Sequence, residues 1–547
     1  MRASHSDIPI KRRMNSTPPA PQSTSGVQRK VAIAACFGTF LEWYDFLTFA
    51  SLATYFSTLF FPPENPTAAL LASLATFGVG MIVRPVGAAL FGSLGDRYGR
   101  RIIFIATIAL MGIATFAVGL LPTYAQVGLL APALLLVLRL LQGLSVGGEI
   151  GGAAVYLTEH APVGRRGIYT SVLQLMGPLG IMASTLQVVV LQTWLTDAEF
   201  RDWGWRMPFL LSALLLLVSL KSRIALHESP VFQQLRDNKE LSQTPLRDCL
   251  SNRRVVGRML VLFSCISAGG SLLFFSSQVY SGVFLKSVVK LDPQLTGTLV
   301  ISATLLLFPL TILCGWLSDR IGRRPVLLAG LLLGALSILP VFHGLLHYGN
   351  PSLERFNHEV PIVLHGERCH YDPFTAAAND CERNQDFLTK LGVSYRLAPP
   401  AASGQTQNRT QIRIGDQPPI SGYQPEPVKA ALKEAGWTDS ANPAEVNRTM
   451  IILLLIIPVI AVALITGPQT ATLAELFPAR MRYTAVALPH NLAAGWIGGL
   501  SPFMVTLISV QMGESLAGLW YPVGLLGVAF VIGAAFLPET RNAALDI

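Results

Sequence analysis

The sequence predicts an all-α polytopic membrane protein, with twelve transmembrane helices in two pseudo-symmetric six-helix bundles and a small extra outer cap inserted between spans nine and ten. Three observations predict it. Apolar residues make up 51% of the 547-residue chain and charged residues only 13%, with a mean hydropathy of +0.48, whereas a soluble domain carries roughly 25% charge. Twelve apolar runs are long enough for a hydrocarbon core about 30 Å thick, which needs ~20 residues per helix. A ten-residue stretch, G-x-x-x-D-R-x-G-R-R, occurs as Gly92 to Arg101 and again as Gly315 to Arg324, each time between two apolar runs. Recurrence at matching places marks two related halves.

Residues 1–30 are polar and contain Lys11, Arg12, Arg13, Pro18, Pro19 and Pro21, so a disordered cytosolic tail is expected. The apolar run that follows, 31–61, is too long for a signal peptide and holds Glu42 and Asp45. Spans are expected near 31–56, 69–92, 102–122, 127–157, 168–194 and 205–224, which form an N-terminal bundle over 31–224. A cytosolic middle loop takes 225–256. Spans seven to nine follow at 257–285, 296–317 and 326–348, within 257–348. Spans ten to twelve, at 449–474, 485–510 and 518–537, share 449–547 with a short tail.

Lysine and arginine counts set the orientation. Twenty-five lie in the tail and in the loops on its side, against three (Arg201, Lys286 and Lys290) in the short opposite loops. The positive-inside rule then puts both termini in the cytosol. For the same reason the net charge of +9 is not a nucleic-acid signal, since these cations sit in short loops that fix topology.

A second repeated element aligns the halves. Glu159-His-Ala-Pro-Val-Gly-Arg165-Arg166 follows span four and Glu475-Leu-Phe-Pro-Ala-Arg480-Met-Arg482 follows span ten. Asp96 precedes Glu159 by 63 residues, whereas Asp319 precedes Glu475 by 156, an excess of 93. The second half is thus the first plus one insertion, 349–448, on the periplasmic side. Its ten lysines and arginines do not upset the orientation, because long loops translocate largely regardless of charge. Within it, Val360–Leu364 and Thr410–Ile414 suit strands and Pro427–Ala435 a short helix, in an otherwise irregular cap.

Cys369 and Cys381 are expected to pair in an oxidising compartment. Metal binding with His370 is the rival, but two further ligands are not evident. Cys36, Cys249, Cys265 and Cys314 are expected to be unpaired. The triplets at Asn408 and Asn447 carry no weight, since such short patterns arise by chance. No cofactor or metal is expected, and no G-x-S-x-G elbow or phosphate loop points to an enzyme.

Charges at membrane depth cost ~2.5–3.5 kcal/mol each on insertion scales, so each is a functional candidate. They are Glu42 and Asp45 in span one, Arg84 in span two, and Arg139 and Glu149 in span four. Glu42 and Asp45 share a helix face, as do Arg139, Gln142 and Glu149. A buried carboxylate beside an arginine suits proton coupling. The second half offers Gln278, Tyr280 and Asn491 as neutral polar surface, with His490 near the start of span eleven. The alternative reading of Arg84 is a static pair with Asp45, and Glu149 within Gly147-Gly-Glu-Ile-Gly-Gly152 suits helix packing equally well. At the cytosolic rim, Asp96, Arg97, Arg100, Glu159, Asp319, Arg323 and Glu475 are read as a gate that bonds the opposing half when that side is closed. Arg101 and Arg324 are read as topology anchors.

Leu41-Glu-Trp-Tyr-Asp45-Phe, Arg84-Pro-Val-Gly87, Arg139-Leu-Leu-Gln-Gly-Leu-Ser-Val-Gly-Gly-Glu149, Glu228-Ser-Pro-Val-Phe232 and Glu475-Leu-Phe-Pro-Ala-Arg480 resemble the metabolite:proton symporter family of the major facilitator superfamily. That family includes carriers of α-ketoglutarate, citrate, shikimate and proline/betaine. The resemblance implies alternating access about a central site and proton-coupled import across a bacterial inner membrane. The expected function is symport of a small polar organic solute, acid or zwitterion, with protons, by a monomer in the lipid bilayer. The alternatives are a proton-independent sugar-type carrier, an exporter, or a non-transporting sensor.

Overall fold

The computed structural model describes residues 25–61, 66–366, 369, 379–398 and 410–545. Most of the N-terminal tail, His370 and the triplet at Asn408 lie outside them. Among the described residues, twelve helices are long and apolar enough to cross a membrane. The first six are Val31–Phe49, Gly78–Tyr98, Arg100–Leu120, Leu130–His160, Arg166–Trp194 and Gly204–Ile224. The second six are Arg253–Ser287, Pro293–Ile321, Arg323–Gly349, Arg448–Glu475, Ala479–Ser509 and Ala517–Phe536. They are numbered spans one to twelve here. Each overlaps an expected run, most ends lying within four residues of it and the widest offset, nine residues, falling at the start of span two.

Small residues decide which spans touch. Spans two and four cross where a Cβ on Gly143 would stand 2.3 Å from the Gly80 carbonyl oxygen, and one on Gly147 would stand 2.1 Å from that of Arg84. Only glycine admits so close an approach, and it brings Arg84 against span four. Spans seven and eleven carry widened π-helical turns at Leu262–Ser267, Phe275–Tyr280 and Ala493–Gly498, a distortion found often at functional sites.

The insertion departs from an irregular cap. Four strands, β1 (Ile362–His365), β2 (Arg396–Ala398), β3 (Gln411–Ile414) and β4 (Ile420–Ser421), form a sheet in the order β2-β1-β3-β4. β1 runs parallel to β2 and antiparallel to β3. Alternating Ile362 and Leu364 face inward with Ile412 and Ile414, and Val428 and Leu432 of the helix Pro425–Glu434 are buried in the same core. The described residues are therefore all-α apart from this unit, because short alternating pieces need a sheet to bury one face. Cys369 and Cys381 are disulfide-bonded, whereas Cys36, Cys249, Cys265 and Cys314 are free and buried. The unit is fastened to the second half: Tyr395 N–H donates to Gly513 O (2.9 Å), Ala441 N–H to Lys290 O (3.1 Å) and Asn350 Nδ2 to Val289 O (3.0 Å).

Candidate functional site

Two layers of charge lie between the halves, one on the face that carries the repeated loops and one at mid-depth. On the loop face, Asp96 ends span two, and its carboxylate accepts from Tyr483 N–H (3.2 Å), Thr484 N–H (2.9 Å) and Thr484 Oγ1 (2.8 Å) in the first turn of the helix Arg482–Leu492 of span eleven. Asp319 repeats this in the other half: it accepts from Gly167 N–H (2.8 Å) and Ile168 N–H (2.9 Å) at the start of span five, and from Arg323 Nη1 (2.6 Å). Each carboxylate thus caps orphan N–H groups at the positive end of a helix in the opposite half.

Glu159 and Glu475 organise the rest. Glu159 pairs with Arg100 of its own half and with Arg482 of the other (2.6 Å). Glu475 pairs with Arg323 (3.4 Å) and, across the interface, with Arg166 (3.5 Å). Arg97 alone of the expected gate set is exposed, lying over the Tyr98 ring at 5.0 Å. The loop turn is shaped by Gly99 (φ +122°) and Gly322 (φ +111°), where a Cβ would stand 2.6 Å from Glu228 Oε2 and 2.5 Å from Glu539 Oε2. Those two glutamates accept from the backbone N–H groups that start spans three and nine (Arg101, 3.2 Å; Arg323, 2.8 Å), and their neighbours Ser229 and Thr540 donate to Glu159 (2.6 Å) and Glu475 (2.8 Å). The sequence reading missed this pair of braces. Its signal was a Glu-Ser after span six and a Glu-Thr after span twelve.

At mid-depth the pairing differs from the Arg84–Asp45 pair that is the alternative reading of Arg84. Arg84 Nη1 faces Glu42 Oε1 at 3.7 Å, and Arg139 Nη1 faces Asp45 Oδ2 at 3.6 Å. The three-residue spacing puts both carboxylates on one face of span one, and spans two and four each present one arginine to it. Asp45 also accepts from Gln142 Nε2 (3.0 Å), which donates in addition to Thr115 Oγ1 (2.9 Å). Phe49 lies 3.5 Å beneath the Arg139 guanidinium, a cation–π contact.

Glu42, Asp45, Arg84, Arg139 and Gln142 line a cavity of about 20 Å³, room for about one water. Arg84 also borders a larger cavity of about 90 Å³ between the halves, lined by Thr39, Trp43, Phe46, Gln174, Phe274, Gln469 and His490. Trp43 meets Phe274 across it with ring centroids 5.2 Å apart. The polar contribution of the second half comes from Ser271, Thr466, Gln469 and His490; Gln278 bonds Thr304 (2.9 Å) away from this cavity. Tyr280 lines a separate space under the insertion with Tyr395 and Gly513. Asn491 is fully buried and donates to Gly147 O (2.9 Å), so it ties span eleven to span four.

Glu149 stands outside both cavities. It pairs with Arg223 (Nη1 to Oε2, 2.9 Å) and accepts from Thr107 Oγ1 (3.0 Å). Arg223, counted above as a loop cation, is fully buried at the end of span six. A charge at a span end can turn inward or outward, and only the packing of span six on spans three and one turns it inward.

The family model described as "Sugar (and other) transporter" matches residues 31–254 and 247–352. The chain is 39% identical over 331 residues, 60% of its length and 74% of the relative, to the inner membrane metabolite transport protein YhjE of Escherichia coli (strain K12). It is 34% identical over 331 residues, 60% of its length and 75% of the relative, to the alpha-ketoglutarate permease of the same strain. Its fold is similar to that of the major facilitator superfamily proton:xylose symporter XylE bound to 6-bromo-6-deoxy-D-glucose, with a TM-score of 0.59, 17% identity, and 96% of this chain and 98% of that one covered.

Proposed function

The chain belongs to the sugar (and other) transporter family of the major facilitator superfamily, and from that premise we propose that it is a proton-coupled symporter importing a small polar organic solute by alternating access. It is a multi-pass metabolite transporter rather than an enzyme. The loop face is the cytosolic one, with both termini there, in an inner membrane like that of YhjE. The observation that carries the reading is the pairing of two carboxylates with two arginines beside a cavity between the halves.

Residues 31–224 and 257–547 act as the two rocking units, with 225–256 as the linker and 349–448 riding on the second. The caps made by Asp96 and Asp319 and the pairs of Glu159 and Glu475 hold the cytosolic side shut. Releasing them opens the central cavity inward, while the outer ends close. Arg84 is the cavity's recognition group for an acidic function, since guanidinium binds carboxylate bidentately. Aromatic faces at Trp43, Phe46 and Phe274 leave room for the cationic end of a zwitterion. A monomer suffices, because both cavities lie within one chain.

Purified protein in liposomes with an imposed inward proton gradient is the test, with α-ketoglutarate, shikimate and glycine betaine as probes. Accumulation of one probe, abolished by a protonophore, is expected. Uptake that ignores the protonophore would leave a facilitative carrier and remove proton coupling.

A further inference from the structure

We propose that Glu42, rather than Asp45, is the carboxylate that takes up and releases the coupled proton, and that Arg84 is the cation it exchanges with an acidic group of the solute. This rests on the proton-coupled reading above and assigns its proton site. Both carboxylates are buried on one face of span one, at 1% and 2% exposure, yet their surroundings differ in kind. Asp45 is held from span four by Arg139 at 3.6 Å and by Gln142 at 3.0 Å. Neutralising it would undo an ion pair and a hydrogen bond together. Glu42 has no hydrogen bond at either oxygen. Its one ion pair, with Arg84 at 3.7 Å, is as loose as the 3.6 Å pair of Arg139 and Asp45, so the hydrogen bond from Gln142 is what sets the two carboxylates apart. A proton can therefore come and go at Glu42 without dismantling a bonded set.

Access points the same way. Glu42 lines only the inner 20 Å³ chamber, whereas Arg84 lines that chamber and the central cavity as well. An acidic group arriving in the central cavity reaches Arg84 from the side opposite Glu42. Once Arg84 turns to it, Glu42 is left as a buried carboxylate with no cation, and the proton that neutralises it completes the balance: one solute negative charge and one proton enter together. The other titratable groups facing this centre are Asp45 on its own helix, Arg139 on span four and His490 on span eleven beside Arg84, while Glu149 of span four lies outside both cavities. Glu149 is engaged by Arg223, and His490 by Ser267 Oγ at 2.9 Å.

The experiment is infrared difference spectroscopy of the full-length protein in liposomes across a pH titration, without solute, on the wild type, Glu42→Gln, Asp45→Asn and Arg84→Gln. A carboxyl C=O band that titrates in the wild type and in Asp45→Asn but is missing from Glu42→Gln is expected. In Arg84→Gln the band should persist to higher pH, because the facing cation is gone. A purely structural Glu42 would leave the band unchanged. A band retained in Glu42→Gln and lost in Asp45→Asn, or no titrating carboxyl band at all in folded wild-type protein, would overturn the assignment. Because no solute is used, this outcome is separable from failure of the symport reading, which would show as normal titration with gradient-independent uptake.

Discussion

Replacing Asp96 by Asn is the sharpest perturbation of the closed state. The carboxylate accepts three hydrogen bonds from the start of the helix Arg482–Leu492, at 3.2, 2.9 and 2.8 Å, and is buried. Asparagine keeps one acceptor oxygen and turns an NH2 group toward backbone donors. A hydrogen bond to a charged group contributes about 1.5–3 kcal/mol against about 1 for a neutral one, and a carboxylate at a helix N-terminus adds about 0.3–1. The closed state should lose about 3 kcal/mol, roughly a hundredfold in the closed-to-open ratio. Cys249 reports this without any solute. Its thiol donates to Met481 O (3.7 Å), and burial, with Asp96 and Asp248 nearby, pushes its pKa up to about 12, so at neutral pH it stays protonated and inert. In a chain with Cys36, Cys265 and Cys314 changed to Ser, maleimide labelling of Cys249 should be slow. Adding Asp96→Asn should speed it by one to two orders of magnitude and impair uptake, with the protein level in the membrane unchanged. Labelling and uptake both at the parent rate would refute the gate.

Three further outcomes follow from the same geometry. Arg223→Ala strands a buried Glu149 and should lower stability by about 3–5 kcal/mol, seen as a large drop in melting temperature in detergent, while Glu149→Gln with Arg223→Gln should recover part of it. Gly322→Ala forces a side chain into φ +111° against Glu539, which costs at least about 1–2 kcal/mol; a melting temperature equal to the wild type would contradict the strain. Cys381→Ser opens a short loop closed by the disulfide and should cost the inserted unit about 3 kcal/mol, read as faster proteolysis within 349–448 while the twelve spans stay resistant.

The sequence by itself determined the number and limits of the spans, because each must be apolar over about 20 residues to leave water, and that requirement is local. It also determined the repeat, the single insertion and the list of charges at membrane depth. Two of the four strands in the insertion, β1 and β3, were legible as short apolar pieces, though not β2 and β4 nor their joining into one sheet. Tertiary structure alone decided who meets whom. Arg84 takes Glu42 and Arg139 takes Asp45 because the glycine contacts of spans two and four fix how each arginine approaches span one. Glu149 leaves the central set because span six delivers Arg223 to it. Gln278 and Tyr280 yield to Ser271, Thr466, Gln469 and His490 as the second half's polar lining of the cavity. An ion pair depends on distances between chain segments tens of residues apart, and a periodic pattern records which face a residue is on but not what stands opposite that face.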